Sequence, residues 1–225
     1  QIYRLIQNGK LFFLSRPRRF GKSLLLSTLE YIFRGEQDLF KDLYLGQQTD
    51  WQWKSYPIVY FNFASYGKTY PEQLEKSIKI DFQRLAEEHG IELPDWSIPQ
   101  QFKHLIKKIA EKHLQVVILI DEYDKPIIDF LQDFPNADKN RAILKNFFST
   151  LKELERSGFI RFLFITGISK FSKASIFSDL NNLTDLTLST LATDLVGITK
   201  EEIEENAGEH VQAIAQKMNI TPNAL

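Results

Sequence analysis

Two patterns of hydrophobic residues alternate along the chain. In one, several consecutive positions are apolar, and in the other, apolar residues lie three or four positions apart. Runs of consecutive apolar residues are typical of strands that are buried on both faces of a sheet. Such runs lie at 11–15, 58–63, 116–120 and 162–165, and a weaker one lies at 185–188. The helical spacing begins at Ser23, Pro71 and Ser97, and it recurs over 138–157. This alternation predicts an α/β fold with a parallel sheet of about five strands and helices on both faces.

The composition narrows the class of protein. The 225 residues are 43% hydrophobic and include 28 basic and 29 acidic side chains, so no overall basic field indicates a nucleic-acid-binding protein. The lack of cysteine excludes a disulfide scaffold, a Cys-ligated zinc site and thiol catalysis. No apolar run approaches the roughly 20 residues that span a bilayer, and the first residues lack a signal-peptide pattern. We therefore expect a globular domain in the cytoplasm, without a membrane segment.

A glycine–lysine–serine triplet stands where the first strand passes into the first long helix. The phosphate-loop pattern is Gly, four residues, then Gly-Lys-Ser/Thr between a strand and a helix. Gly21, Lys22 and Ser23 complete its second half, while Arg16 replaces its first glycine. Backbone N–H groups at a helix N-terminus bind phosphate, the lysine adds a point charge, and the serine hydroxyl is a ligand for Mg²⁺. We predict a nucleotide-binding loop that ends at Ser23.

The remainder of this loop is basic and stiff. Pro17 fixes its own φ and keeps the residue before it extended. Arg18, Arg19 and Phe20 directly precede the glycine and are included in the predicted nucleotide-binding set. The two arginines either reach a phosphate or face solvent, and the sequence leaves both readings open.

Two adjacent carboxylates follow the run at 116–120. In parallel sheets ligands bind at the carboxyl ends of the strands, which is where Asp121 and Glu122 stand. This is the Walker B arrangement, in which Asp121 holds the Mg²⁺ shell and Glu122 orients and deprotonates the attacking water. The alternative is that both acids cap the next turn. Further along, we expect Asp124 to cap a short helix over 126–131 and Lys125 to pair with Asp124, neither with a catalytic role.

Thr166 ends the run at 162–165. A hydroxyl at this edge can hydrogen-bond a γ-phosphate or the attacking water, the role called sensor 1, so Thr166 joins Glu122 as a predicted catalytic residue. The alternative is a threonine that satisfies local backbone groups.

Three stretches resemble the predicted AAA-ATPase-like proteins of bacteria, which are P-loop ATPases. The stretches are Arg16-Pro17-Arg18-Arg19-Phe20-Gly21-Lys22-Ser23, Ile120-Asp121-Glu122-Tyr123-Asp124-Lys125-Pro126 and Thr166-Gly167-Ile168-Ser169-Lys170-Phe171-Ser172. They occur in the family's order, and the resemblance extends from about Leu11 to Leu188. Arg16 in place of glycine is itself typical of that family.

The resemblance implies an ASCE-type P-loop NTPase core with strand order 5-1-4-3-2, which binds ATP and Mg²⁺. It also implies a helical lid after the core and, in many members, a C-terminal PD-(D/E)XK nuclease-like domain, which these 225 residues do not include. We assign 1–195 to the core and 196–225 to the start of a truncated lid, where Thr199 to Glu202 form a capping box. No arginine follows Arg161, so a lid arginine for the γ-phosphate is missing. Both ends look cut from a longer protein.

We therefore expect an ATP-binding domain that hydrolyses ATP to ADP and phosphate, as a switch or motor for a fused or partner domain. A nucleotide-gated interaction module with little turnover is the alternative that the missing lid arginine keeps open. A small-molecule kinase is less favoured because Glu122 would compete with the acceptor hydroxyl for the position of the water. Nucleic acid stays open as a partner, since the charge around the loop suits any phosphate.

Overall fold

The computed structural model describes residues 1–169, 176–177, 180, 182–192, 194–218 and 221. Helices and strands alternate through them, as the hydrophobic spacing predicts. In chain order they are α1 (Ile2–Asn8), β1 (Leu11–Ser15), α2 (Lys22–Arg34), α3 (Tyr44–Gln47), β2 (Ile58–Asn62), α4 (Pro71–Glu88), α5 (Ile98–His113), β3 (Val116–Asp121), α6 (Lys125–Ile128), α7 (Phe134–Arg156), β4 (Ile160–Gly167), β5 (Thr184–Asp185) and α8 (Lys200–Met218). Short 3₁₀ helices lie at Gln37–Phe40, Phe63–Tyr66 and Thr190–Ala192.

The five strands of the described residues form one sheet in which every pair is parallel. Their order is β2-β3-β4-β1-β5, the predicted order 5-1-4-3-2 read from the other edge. The predicted α/β fold with a five-stranded parallel sheet is therefore confirmed. Parallel strands need long connections. The pair α4–α5 connects the neighbours β2 and β3, α7 connects the neighbours β3 and β4, and α2 lies in the connection from β1 to β2, which are not adjacent. The carboxyl ends of β1, β3 and β4 consequently meet at one edge of the sheet.

Each face of the sheet has its own apolar core, because side chains alternate between the faces along a strand. Leu11 and Phe13 of β1 point into the core beneath α4, α5 and α7. Phe12 and Leu14 point into the core beneath α1 and α2. All four side chains are at most 5% exposed, so the strand that carries the phosphate-loop motif is fixed from both sides.

Several bounds differ from the predicted ones, and each difference has a local cause. The helix predicted over 138–157 begins at Phe134, because the Asp133 carboxylate accepts the N–H of Asn136 and Pro135 suits the first turn. The fifth strand contains only Thr184 and Asp185, after which the Asp185 side chain accepts the N–H of Thr187 and turns the chain. Helix α1 was not predicted.

The C-terminal helix α8 begins with the predicted capping box. The backbone N–H of Thr199 donates to the Glu202 carboxylate over 2.8 Å, and the N–H of Glu202 donates to the Thr199 hydroxyl over 3.2 Å. The prediction of a helix start at this point is confirmed, while its identity as a lid stays a prediction. In the part of the chain that the structure describes, no helix combines the length and apolarity needed to cross a bilayer.

Candidate active site

The loop between β1 and α2 makes a sharp turn that depends on Gly21. This residue caps the start of α2 with φ of +80°, in the left-handed region that side chains with a Cβ rarely adopt. A Cβ added at Gly21 would meet no atom within 4 Å, so the glycine is needed for its backbone conformation rather than for space. Arg19 also has a positive φ, of +67°.

The Lys22 side chain is enclosed by this loop. It is only 5% exposed, and its Nζ donates hydrogen bonds to the carbonyl oxygens of Arg16 and Pro17, both over 3.0 Å. These partners are neutral dipoles, which stabilise an ammonium group less than an anion does. A hydrogen bond from Nζ to an anionic oxygen in the loop would therefore be stronger than its present bonds to the two carbonyl oxygens.

Three predicted residues from three different elements meet at one carboxylate. The Ser23 hydroxyl, in the first turn of α2, donates to one oxygen of Asp121 over 2.5 Å. The Thr166 hydroxyl, near the end of β4, donates to the other oxygen over 2.5 Å. Asp121 is 1% exposed at the end of β3. The N-terminus of α2, the end of β3 with Asp121 and the end of β4 with Thr166 thus lie at one edge of the sheet.

Glu122 has a strained backbone next to this cluster. Its φ is +49°, a left-handed value that costs a non-glycine residue about 1–2 kcal/mol. Its N–H points to the Thr166 hydroxyl at 3.4 Å, and its side chain is partly exposed. Strain of this kind occurs at functional sites where surrounding contacts enforce it.

The remaining predicted loop residues lie outside this hydrogen-bonded cluster. Arg18, Arg19 and Phe20 are exposed, so the choice between phosphate and solvent for the two arginines is still open. The Phe20 ring lies against Gly197, since a Cβ built there would be 3.5 Å from the ring. Of the third motif, residues 170–172 lie outside the described part of the chain.

The prediction for Asp124 and Lys125 was wrong. Asp124 makes no side-chain capping bond, because its own backbone is already helical (φ −92°, ψ −6°), whereas a capping residue needs an extended one. Its buried carboxylate instead accepts the N–H groups of Ile168 and Ser169, over 3.0 and 2.6 Å. Burial raises the pKa of Asp124, although these two bonds act in the opposite direction. Lys125 forms its ion pair with Asp129.

Tyr123 and Gly167 pack against each other where β3 and β4 end. The Tyr123 N–H donates to the Thr166 carbonyl over 3.1 Å, and its hydroxyl donates to the Ser169 carbonyl over 2.9 Å. A Cβ at Gly167 would lie 2.4 Å from the Tyr123 ring, so any larger residue would have to displace a neighbour. Tyr123 and Gly167 both belong to the stretches that carry the family resemblance, so the sequence did mark the two positions, although not their contact.

The Arg16 side chain contacts the segment after β5. Its guanidinium donates to the Thr187 carbonyl just after β5, and the Thr187 hydroxyl accepts the N–H of Ser15 over 3.1 Å. The replacement of the first motif glycine by arginine therefore ties the start of the loop to the segment that leads towards α8.

Tyr60 is a neighbour of Asp121 that the sequence analysis missed. It lies on β2, the strand beside β3, on the face that packs against α2. Burial, followed by the Asp121 and Glu30 carboxylates, raises the pKa of its phenol far above the ordinary value. The tyrosine therefore stays protonated and available as a hydrogen-bond donor beside Asp121. The alternation of β2 could have indicated its face, but not the partner that it meets.

The oxygen atoms at this edge fit a hard cation. The Ser23 hydroxyl and the Asp121 carboxylate are the kind of ligands that Mg²⁺ takes, together with water and substrate phosphate. Among the described residues, no group of three or more His, Cys, Asp or Glu side chains is placed to hold a metal by itself.

One known protein from Azotobacter chroococcum mcd 1 is similar to most of the chain. It is described as an uncharacterized protein in the vnfD 5′ region, and it is 36% identical over 201 residues. The match covers 89% of this chain and 38% of the relative, so the chain spans less than two-fifths of the relative's length. No solved structure matches the chain.

The family comparison agrees with the motifs around this site. A family model described as a predicted AAA-ATPase matches residues 1–177, which include β1 to β4 and the loop ending at Ser23. This range contains every residue in the predicted site. The chain belongs to the predicted AAA-ATPase family.

Proposed function

We propose that this chain is a P-loop NTPase domain of the ASCE type, which binds ATP with Mg²⁺ at the carboxyl edge of the sheet and hydrolyses it to ADP and phosphate. The observation that carries the proposal is the meeting of Ser23 and Thr166 on the Asp121 carboxylate, beside the enclosed Lys22. The family supports nucleotide binding in general terms.

In this proposal the phosphate groups bind at the N-terminus of α2. The first N–H groups of a helix have no partner within the helix and carry a partial positive charge, so they favour an anion. Lys22 leaves the carbonyl oxygens of Arg16 and Pro17 for a phosphate oxygen, which is the stronger acceptor. Arg18 and Arg19 add positive charge at the entrance to the loop.

Ser23 and Asp121 are the proposed magnesium ligands. Mg²⁺, when bound, neutralises charge on the phosphate oxygens. The hydrogen bond between the two side chains keeps both oxygens at one point before any ligand arrives. Tyr60, kept protonated beside Asp121, is a further hydrogen-bond donor next to that carboxylate.

Glu122 is the proposed general base, and Thr166 the proposed contact to the γ-phosphate. The partly exposed side chain of Glu122, on a left-handed backbone directly after Asp121, supports this role because water has access to the carboxylate. Glu122 accepts a proton as the water oxygen bonds to the γ-phosphorus and the bond to the bridging oxygen breaks, which releases ADP and phosphate. The Thr166 hydroxyl, which donates to Asp121 in this structure, would donate to a γ-phosphate oxygen when the nucleotide is bound.

A nucleotide-gated interaction module is the second candidate, and one observation favours it. The loop is tied at its start to Thr187 and touches Gly197 through Phe20, so it contacts the segment that leads to α8 at two points. A ligand in the loop can therefore change the position of α8, which lies in the proposed start of a lid. We propose that any fused or partner domain, including a nuclease-like one, senses the nucleotide through this segment.

Lys22→Ala tests the assignment of the loop. Removal of the ammonium group should weaken ATP binding about 10- to 100-fold, the usual worth of a hydrogen bond to a charged group. Isothermal calorimetry with and without Mg²⁺ measures this, with the exposed Lys41→Ala as the control. Wild-type affinity in Lys22→Ala would show that the loop is not the nucleotide site.

A further inference from the structure

Hydrogen bonds join the turn after β3 to the end of β4 beyond the last residue pair of the sheet. The last sheet pair between these strands is Ile120 with Ile165. Beyond it, the Tyr123 N–H reaches the Thr166 carbonyl, and the Tyr123 hydroxyl reaches the Ser169 carbonyl. The two strands therefore stay connected past the point where their ladder ends.

Asp124 lies at the centre of this connection. It is fully buried, and one carboxylate oxygen accepts the N–H of Ile168 over 3.0 Å and of Ser169 over 2.6 Å. The second oxygen lies 3.3 Å from the Ile168 nitrogen. A buried carboxylate is unfavourable unless such bonds stabilise it, so a residue that only filled space here would be apolar.

The residues on either side of this connection are the proposed catalytic ones. Glu122 precedes Asp124 by two positions, and Thr166 precedes Ile168 by two positions. The Thr166 hydroxyl contacts both the Asp121 carboxylate and the N–H of Glu122. A shift of β4 along β3 would separate these groups, and Asp124 opposes that shift.

We propose that Asp124 is a positioning residue, which holds the end of β4 through the N–H groups of Ile168 and Ser169 and thereby fixes Thr166 against Asp121 and Glu122. Its effect on turnover rests on the proposed function, whereas its effect on the geometry of the site does not. Asp124 contacts no reacting atom in this proposal and acts only through Thr166 and Glu122.

Asp124→Ala and Asp124→Asn separate positioning from charge. Alanine removes both acceptor atoms, whereas asparagine keeps one oxygen, and a single oxygen serves both N–H groups in the wild type. Partners of this kind, one step removed from the reacting groups, typically change activity about 10- to 100-fold. We expect kcat to fall by about that factor in Asp124→Ala and to stay within about threefold of wild type in Asp124→Asn, with ATP affinity little changed in both.

The matched control is Asp133→Ala. Asp133 also accepts a backbone N–H, that of Asn136 at the start of α7, but it lies outside the site. Its loss should lower the melting temperature, because a helix cap is removed, and leave kcat unchanged. A fall in kcat of equal size in both alanine variants would attribute the effect to general destabilisation and overturn the proposal.

Amide hydrogen exchange provides a measurement that does not need catalysis. In Asp124→Ala the amides of Ile168 and Ser169 should exchange faster, and so should that of Glu122, which is bonded to Thr166 rather than to Asp124. Faster exchange only at Ile168 and Ser169 would overturn the proposal. If the wild type binds no ATP or releases no phosphate, the proposed function fails, and the Glu122 amide still decides the role of Asp124.

Asp124→Asn keeps the proposal testable if Asp124→Ala does not fold. In that variant the protection of the Ile168 and Ser169 amides and kcat should both be retained, because one oxygen of the side chain still accepts both N–H groups. Retained protection with lost turnover would show that Asp124 acts through its charge. Lost protection with retained turnover would show that the connection does not position the site, and either result overturns the proposal.

Discussion

The carboxyl edge of the sheet and the core beneath α4, α5 and α7 are built from opposite kinds of residue. At the edge, Lys22, Asp121, Asp124 and Thr166 are buried polar groups that bond to one another or to backbone atoms. In the core, the Phe147 ring is packed by Phe61, Phe82 and Phe102, with centroid distances of 5.4, 5.6 and 4.7 Å. Both regions are closely packed, but different forces hold them.

The difference indicates how the two regions should respond to mutation. Buried apolar rings contribute by the area removed from water and by close packing, so their loss lowers stability. Buried polar groups gain little net free energy, because their mutual bonds replace bonds to water. The carboxyl edge contains a strained backbone at Glu122 and buried charged groups, which add little to stability. Such a combination is typical of binding and catalytic sites.

The largest expected effect is that of Glu122→Gln on turnover. The amide cannot accept a proton, and loss of a general base lowers kcat by about 10²–10⁴-fold. Because shape and backbone are kept, ATP affinity and melting temperature should stay close to those of the wild type. Phosphate release and calorimetry measure the two properties, with the exposed Glu111→Gln as the control. Undiminished turnover in Glu122→Gln would assign the base elsewhere.

Phe147→Ala should show the converse behaviour. The ring is fully buried among aromatic neighbours, and truncation of a buried phenylalanine costs about 3–5 kcal/mol. Urea unfolding should report this loss, while Phe134→Ala, whose side chain is 72% exposed on the same helix, should change stability little. A Phe147→Ala variant of wild-type stability would mean that the aromatic core is looser than its packing indicates.

The sequence was sufficient for the fold and for the polar groups that follow the strands. Apolar runs and helix spacing are local signals, so β1 to β4 and the long helices could be located to within a few residues. Parallel strands bring Ser23, Asp121 and Thr166 to the same edge of the sheet, but their contact also requires β3, β4 and β1 to be neighbours. The strand order itself came from the resemblance and not from the spacing.

The contacts that were missed depend on distances that no local pattern contains. Asp124 has the sequence context of a capping residue, and only its helical backbone and the nearness of Ile168 reveal another partner. The bond from Arg16 to Thr187 joins positions 171 residues apart. Tyr60 meets Asp121 because β2 and β3 are neighbours in the sheet, which strand spacing alone does not determine.

Gly167→Ala tests whether the edge tolerates a small increase in volume. A methyl group would lie 2.4 Å from a Tyr123 ring carbon and 3.0 Å from a carboxylate oxygen of Asp124, so one of them must move. Overpacking of this kind costs about 1–3 kcal/mol, and here it should also lower turnover because Thr166 is adjacent. Gly208→Ala is the control, since a Cβ there meets nothing within 4 Å. Equal stability and turnover in the two variants would show that the edge is not closely packed.

The smallest expected effect concerns His89, a polar group far from the candidate site. Burial, and then the neighbouring His113, lower the pKa of His89 below its ordinary value of 6.5. The unfolded chain therefore binds more protons than the folded one as the pH falls below about 6.5, and stability decreases there, whereas His89 contributes nothing at pH 8. His89→Gln should flatten this dependence by less than about 1 kcal/mol, since the ring is partly exposed. Melting temperatures at pH 5.5 and 8, with the exposed His210→Gln as the control, measure the change. A slope unaltered in His89→Gln would place the responsible group elsewhere, and it would not be the buried Asp124, because burial raises the pKa of that carboxyl group and a raised carboxyl pKa favours the folded state at low pH.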